Sequence, residues 1–326
     1  MKKVRVGFIG AGGNATLHGR RMLALKNDVE VVALADPNPS SRENFASSLH
    51  VPDIPRFENH REMLARTELD AVVVSTPHTL HFGQVKDALN AGLHVLVEKP
   101  MTCTTREAEE LLSLAKDQKR ILQVSYQRHF QPDFIYIKEA IARGDIGRLT
   151  SVTASLYQNW KQLSTGTWRQ DPALSGGGFL MDSGSHIIDV LLWTTGMTPA
   201  EVRCIMHMRD TPVEIDSYTS IRFEEGAVAG LNLVGFAPGW HETYVFCGEN
   251  GAIFYDNGKI VVRRLNEEPV TPALEEPKTD PDAGFIDAVL GRREVAVGGE
   301  FALRVVRLTE MIYRAAGYDP LPADRN

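Results

Sequence analysis

Between residues 4 and 36 the chain runs from an apolar stretch through a glycine-rich hexapeptide and a mixed segment to a second apolar stretch that ends on an acid. No other part of the sequence narrows the possible folds as much. Residues 4–10 are apolar apart from Arg5, the pattern of a strand buried on both faces of a parallel sheet. The run ends in Gly10-Ala11-Gly12-Gly13-Asn14-Ala15, which fits G-x-G-x-x-G/A, and residues 14–26 and 29–35 then read as a helix and a second strand closing on Asp36. Gly10 permits the tight turn, Gly12 offers bare backbone, and Ala15 lets the helix close on the strand. Backbone N–H groups at the start of the helix, in the turn of Gly13 and Asn14, attract an anion. Asp36 lies about 20 residues further on, where an acid bonds ribose hydroxyls and repels a 2′-phosphate. Together these features predict a dinucleotide site that takes NAD in preference to NADP. The motif alone could be a generic glycine turn, and Asp36 could simply open the Pro37-Asn38-Pro39 turn. The strand before, the helix after and the acid in place argue for the cofactor.

The alternation continues. Residues 69–76, 94–98 and 121–126 read as strands, and 81–91 and 104–119 as helices, the latter with Thr104 or Thr105 as N-cap. Short strands alternating with helices make a doubly wound parallel sheet, which binds ligands at the carboxyl ends of its strands. Ser75-Thr76-Pro77 and Glu98-Lys99-Pro100 fall at such ends. A length of 326 residues allows two ordinary domains, and 43% hydrophobic with 24% charged residues suits a globular protein. The net charge of −7, with Lys and Arg scattered, gives no footprint for nucleic acid. No apolar run is long enough to cross a bilayer, and Met1-Lys2-Lys3, faintly like a signal-peptide start, leads into a run better read as a strand. Cys103, Cys204 and Cys247 are far apart and odd in number, which suits a reducing cytoplasm and offers neither a disulfide framework nor a zinc knuckle. Cys103 reads most simply as a small buried residue. The nearest thing to a linker is the Pro- and acid-rich stretch 267–281.

Two longer segments carry a resemblance. Ser75-Thr76-Pro77-His78-Thr79-Leu80-His81, followed by Ala91-Gly92-Leu93-His94-Val95-Leu96-Val97-Glu98-Lys99-Pro100, resembles the central signature of the glucose–fructose oxidoreductase / inositol dehydrogenase / MocA family. Trp168-Arg169, then Gly176-Gly177-Gly178, then Asp182-Ser183-Gly184-Ser185-His186-Ile187-Ile188-Asp189 resembles its second signature. The likeness covers nearly the whole chain. It implies an α/β protein: an NAD(P)-binding Rossmann domain over residues 1–124, then an α+β domain over 125–326 with a large open, mainly antiparallel sheet. The second half agrees by its own pattern. Stretches 149–159, 201–210, 218–223, 226–233, 242–247, 252–255 and 259–265 are strand-like, with turn signals at Glu224-Glu225-Gly226, Glu249-Asn250-Gly251 and Asp256-Asn257-Gly258. An open sheet needs cover on both faces, so a homodimer or homotetramer packed through it is expected.

Asp182, His186 and Asp189 stand at i, i+4 and i+7 and would share one helix face. From the residues alone this row reads as a capping acid with a core histidine, as a metal site that would need His241 or Glu242, or as a proton-transfer group. The resemblance implies the last: Lys99, Asp182 and His186 form the catalytic group, with no metal. Asp189 reads as a helix acid. By the same resemblance Trp168 and Arg169 reach the nicotinamide end of the cofactor, and Glu98, His78 and His81 contact it or shape its loops. Tyr126, Arg128, Asn159 and Trp160 are candidate substrate-lining residues, with His129, Lys161, Trp240 and His241 behind them. The expected activity is hydride transfer between the nicotinamide and a secondary hydroxyl of a sugar, inositol or glycoside. A glycosidase that keeps NAD bound for transient oxidation is one alternative, and a non-catalytic dinucleotide sensor is another.

Overall fold

A computed structural model describes residues 3–321; Met1 and Lys2, part of the signal-like start, and residues 322–326 lie outside it. The chain forms two compact units. The first holds the residues up to Gln127 together with Thr279–Leu303, and the second holds Arg128–Lys278 together with the residues from Arg304 onward.

The first unit alternates strand and helix: β1 (Val4–Ile9), α1 (Gly13–Ala24), β2 (Val29–Ala35), α2 (Pro39–Ser48), β3 (Arg56–Phe57), α3 (His60–Arg66), β4 (Ala71–Val74), α4 (His81–Asn90), β5 (His94–Val97), α5 (Thr105–Asp117) and β6 (Leu122–Val124). The six strands are parallel in the order β3-β2-β1-β4-β5-β6. The order reverses between β1 and β4, the switch point at which such sheets bind ligands. Val6, Phe8, Val73 and Leu96 are fully buried, as the continuous apolar runs require. Thr104, rather than Thr105, caps α5 by accepting from the N–H of Glu107.

Pattern alone did not register α2, α3 and the two-residue β3. Only Phe45 and Ala46 are buried in α2, so its apolar periodicity is faint. The stretch 279–303 likewise departs from a division into two contiguous segments. It belongs to the first unit because Phe285 and Ile286 complete the core built on Val4, Val6 and Phe8. The side chain of Gln123 donates to the carbonyl of Pro281 (2.8 Å), and Arg292 pairs with Asp28 (2.7 Å).

The second unit contains α6 (Pro132–Ala142), β7 (Leu149–Tyr157), two single-turn helices α7 (Trp160–Leu163) and α8 (Pro172–Ser175), a π turn at Leu180–Gly184, α9 (Ser185–Thr195), and then β8 (Pro199–His207), β9 (Asp216–Phe223), β10 (Val228–Val234), β11 (His241–Gly248), β12 (Gly251–Asp256) and β13 (Lys259–Arg264). Its sheet runs β13-β12-β11-β7-β10-β9-β8, with β10 parallel to β7 and every other pair antiparallel. The alternation in β9, with Ile221 and Phe223 buried and Tyr218 exposed, marks a sheet with one covered face. Helix α9 packs on α6 and β7 on that face, while Ile205, Tyr218 and Val228 are exposed. Among the described residues no helix is long and apolar enough to cross a membrane.

Candidate functional site

In the first unit the glycine loop turns between β1 and α1. Gly10 sits at φ +96°, where an added Cβ would lie 2.2 Å from the carbonyl oxygen of Ser75. A Cβ at Gly12 or Gly13 would meet nothing within 4 Å, so this edge of the loop is open. Gly12 is the N-cap of α1 and supplies no side-chain acceptor, which leaves the first-turn N–H groups available to an outside anion. A bare, uncapped cradle of this kind fits a pyrophosphate. Asp36 closes the far side. One of its oxygens accepts from the N–H of Ala11 (2.8 Å), and the other accepts from the N–H of Asn38 (2.8 Å). The turn-opening reading of this residue holds, since it caps the N–H of Asn38, and it also pins the glycine loop, a contact that the sequence did not announce. A carboxylate has about four acceptor positions, so capacity remains.

The carboxyl ends of β4 and β5 bring the two tripeptides together. The ring of His81 is fully buried, with Nδ1 2.8 Å from the carbonyl of Pro100 and Nε2 2.9 Å from that of Thr76. It ties the turn after β4 to the turn that carries Lys99, and Thr76 donates to Gln84 (2.6 Å). His78 is buried beside it, their rings 6.0 Å apart. Glu98 is held by His18, which sequence reasoning missed: Oε1 of Glu98 lies 2.8 Å from its Nε2. Lys99 is half-buried, and Tyr126 is fully buried.

In the second unit the acid–histidine stretch is not one uninterrupted α-helix. Asp182 lies in the π turn, closed by the N–H of Gly184 donating to the carbonyl of Phe179 (2.8 Å), and α9 begins only at Ser185. Such turns recur at functional sites because they re-aim a side chain. The buried Asp182 carboxylate accepts from the indole N–H of Trp160 (2.8 Å) and from Nε of Arg169 (3.0 Å) on the same oxygen. Arg169 also lies over the ring of Trp168, at 4.6 Å. His186 is half-buried one turn on.

Asp189 does not continue that row as a simple helix acid. It is fully buried, 2.7 Å from Nε2 of His129, whose ring stacks on Trp193 at 3.9 Å. Burial pushes the Asp189 carboxyl up, and His129 opposes the shift.

The substrate-lining candidates divide. Trp160 is 3% exposed and serves as a donor to Asp182 rather than as an open wall. Asn159 is half-buried and donates to Gln162 (2.9 Å). Arg128 pairs with Glu242 (2.7 Å), which also accepts from the hydroxyl of Tyr244 (3.1 Å). Arg128, Asp133, Trp240, Glu242, Tyr255 and Asn257 line an open cavity of about 540 Å³ within this unit.

A second missed residue is Glu214, buried between β8 and β9. It accepts from the N–H groups of Gly178 (2.7 Å) and Leu180 (3.0 Å) and from the hydroxyl of Tyr313 (2.9 Å), and so fixes the backbone that leads into the π turn. Burial pushes its carboxyl up to about 7 against these three donors. No local pattern announced His18 or Glu214, since their partners lie far away in sequence.

A model of the GFO_IDH_MocA oxidoreductase family, NAD-binding Rossmann fold, matches residues 4–126, and a model of the GFO/IDH/MocA C-terminal domain matches residues 134–254. The rhizopine catabolism protein MocA of Rhizobium meliloti is 33% identical over 62% of this chain and 61% of its own length. The D-glucoside 3-dehydrogenase of Escherichia coli is 28% identical over 96% of this chain and 95% of its own. Across three of the curated relatives it matches, the chain spans 54%, 61% and 60% of their length. The WlbA dehydrogenase of Bordetella pertussis, solved in complex with NADH and UDP-GlcNAcA, superposes with a TM-score of 0.85 at 24% identity, covering 97% of each chain. That likeness speaks to the fold.

Proposed function

The chain belongs to the GFO/IDH/MocA oxidoreductase family, and on that footing we propose that it transfers a hydride between a secondary hydroxyl of a sugar, inositol or glycoside and a nicotinamide cofactor, NAD in preference to NADP. The observation that carries the reading is that one chain holds both an open, uncapped glycine cradle and an acid–histidine segment whose acid is fixed by Trp160 and Arg169. Gly10, Gly12, Gly13, Asn14 and Ala15 would hold the pyrophosphate, and Asp36 the adenosine ribose. When bound, the nicotinamide supplies the acceptor or donor of the hydride. His186 takes the hydroxyl proton as general base, and Lys99 donates a hydrogen bond to the same oxygen. Asp182 is held in one orientation and steadies the charge that proton transfer creates.

A relative named for D-glucoside oxidation supports the sugar class. Three cysteines far apart in the sequence suit the cytoplasm. The exposed apolar Ile205, Tyr218 and Val228 suit a homo-oligomer packed through the sheet.

The test is an NADH-absorbance screen of myo-inositol, scyllo-inositol and methyl β-D-glucoside, with NADP+ in parallel. Formation of NADH on one of them, lost by about 100-fold or more in His186→Ala with NADH affinity kept, is the expected result. Unchanged turnover in that variant would remove His186 from its role. Release of free sugar from the glycoside without net NADH would indicate the glycosidase instead.

A further inference from the structure

The half-buried side chain of Glu98, next to Lys99, joins a row of charges whose central members, His18 and Asp282, are buried. Its Oε1 is 2.8 Å from Nε2 of His18, and Nδ1 of the same ring is 2.7 Å from Oδ1 of Asp282. His18 is 2% exposed and Asp282 is fully buried. A neutral imidazole carries one N–H, so it would leave one carboxylate facing a nitrogen lone pair at hydrogen-bond distance in a dry interior. Only the imidazolium donates to both acids. Burial by itself lowers the pKa of this ring, but the hydrogen bonds to Asp282 and Glu98 outweigh it and raise the value to about 10. Arg21, one turn along α1, faces the other oxygen of Asp282 at 3.4 Å, so two cations answer two acids.

The three elements involved are far apart in sequence. Helix α1 has the glycine cradle at its head, β5 leads into Glu98 and Lys99, and the helix Pro281–Val289 carries Asp282 in its first turn. The tie continues into the backbone, because Oε2 of Glu98 accepts from the N–H of Lys99 (3.2 Å). Buried ion pairs contribute little net stability compared with apolar packing of the same volume, so orientation is the more economical reason for placing four charges here.

We propose that His18 is a positioning residue: by donating to Glu98 and Asp282 at once it sets the Glu98–Lys99 turn, and with it the Lys99 ammonium, relative to the cradle at the head of α1. The proposal rests on the reading of Lys99 given above. A group that fixes the geometry of a reacting partner acts on the chemical step more than on cofactor affinity.

The experiment uses the full chain with methyl β-D-glucoside or myo-inositol as substrate. In His18→Gln the introduced amide donates to only one acid and turns its carbonyl toward the other. The expected loss in kcat is about 10- to 100-fold, with NADH affinity by calorimetry held within about threefold. Adding Asp282→Asn supplies a donor for that carbonyl and restores an unbroken row of hydrogen bonds, so the double variant should regain most of the lost kcat. In the cofactor-free protein, ring nitrogen NMR shifts of His18 should be those of an imidazolium at pH 8.

Unchanged kcat in His18→Gln would overturn the proposal, as would a neutral ring at pH 8. Recovery of thermal stability without recovery of kcat in the double variant would reduce His18 to a structural residue and overturn it equally. Lys99→Ala serves as the separate control: if it turns over normally, the reading of Lys99 fails, whatever His18→Gln does.

Discussion

Two acid networks, the one behind the Glu98–Lys99 turn of the first unit and the one behind the approach to Asp182 in the second, are answered in different ways. In the first, Glu98 and Asp282 meet the full positive charges of His18 and Arg21. In the second, Glu214 meets neutral donors, among them the N–H groups of Gly178 and Leu180 and the hydroxyl of Tyr313. Set against two acids, the His18 ring keeps its proton up to about pH 10. A charge against dipoles, deep in the interior, lies close to its own titration. The first unit thus holds its functional turn as a fixed frame, while the second holds the approach to Asp182 on a carboxyl poised near neutrality. The glycine cradle goes further, because it works through backbone alone and carries no titratable group.

The largest effect expected follows from the backbone part of that contrast. Gly10→Val places a branched side chain at φ +96° and about 2.2 Å from the Ser75 carbonyl. Strain of this kind costs about 3 kcal/mol or more, so NADH affinity should fall by at least about 100-fold by calorimetry, or the first unit should fail to fold by circular dichroism. Gly230→Ala in the second unit, where a Cβ meets nothing within 4 Å, should change NADH affinity by less than about twofold. Equal effects at the two positions would break the claim that the cradle is special.

The next effect separates the acid from its donors. Asp182→Asn keeps the shape but removes the charge that answers Trp160 and Arg169. Turnover should fall by about 100-fold with NADH affinity little changed. Trp160→Phe removes one hydrogen bond to a charged acceptor, worth about 2 kcal/mol, and should lower kcat by about 10-fold. If Trp160→Phe altered KM alone, the residue would be a substrate wall after all, as its type in the sequence first suggested.

The pH dependence of stability sharpens the contrast directly. Glu214 has its folded pKa raised from 4.5 to about 7. Its contribution is therefore fully present below pH 4.5, declines as pH rises, and is lost above about 7. At about 1.4 kcal/mol per unit the upper bound is about 3.5 kcal/mol. His18 is raised from 6.5 to about 10, so its contribution is complete below pH 6.5 and is lost as pH rises through about 10. Urea denaturation across pH 4–10 should therefore show two windows. Glu214→Gln should flatten the acid one, and His18→Gln the alkaline one. A single shared window would mean that the two networks are not built differently.

How much of this was open to sequence reading depends on distance along the chain. The glycine turn after β1, the helix behind it and five of the six parallel strands were legible because each signal is local, a few residues of pattern that fix one turn or one face. The seven strands of the second sheet were legible for the same reason, since alternation and turn residues announce each hairpin. The π turn was not. Asp182, His186 and Asp189 keep an α-helical spacing in the sequence, and nothing local says that the helix loosens ahead of Ser185. His18 and Asp282 could not be paired in advance either, because only the return of residues 279–303 to the first unit brings them together.

The smallest expected effect concerns the choice of cofactor. Asp36 already accepts from the N–H groups of Ala11 and Asn38, and Arg42 donates to its backbone carbonyl (2.5 Å). Its carboxylate is therefore preset with a guanidinium close behind it, and on the proposed reading its charge would oppose a 2′-phosphate. Asp36→Ala removes that charge and leaves Arg42 in place. The ratio of NAD+ to NADP+ in kcat/KM should fall by about 10-fold, partly through weaker NAD+ and partly through better NADP+. The change stays modest because, on the proposed reading, the cradle and not Asp36 would hold the pyrophosphate common to both cofactors. An unchanged ratio would assign Asp36 to the turn alone, and a wild-type preference for NADP+ would show that Arg42 already outweighs it.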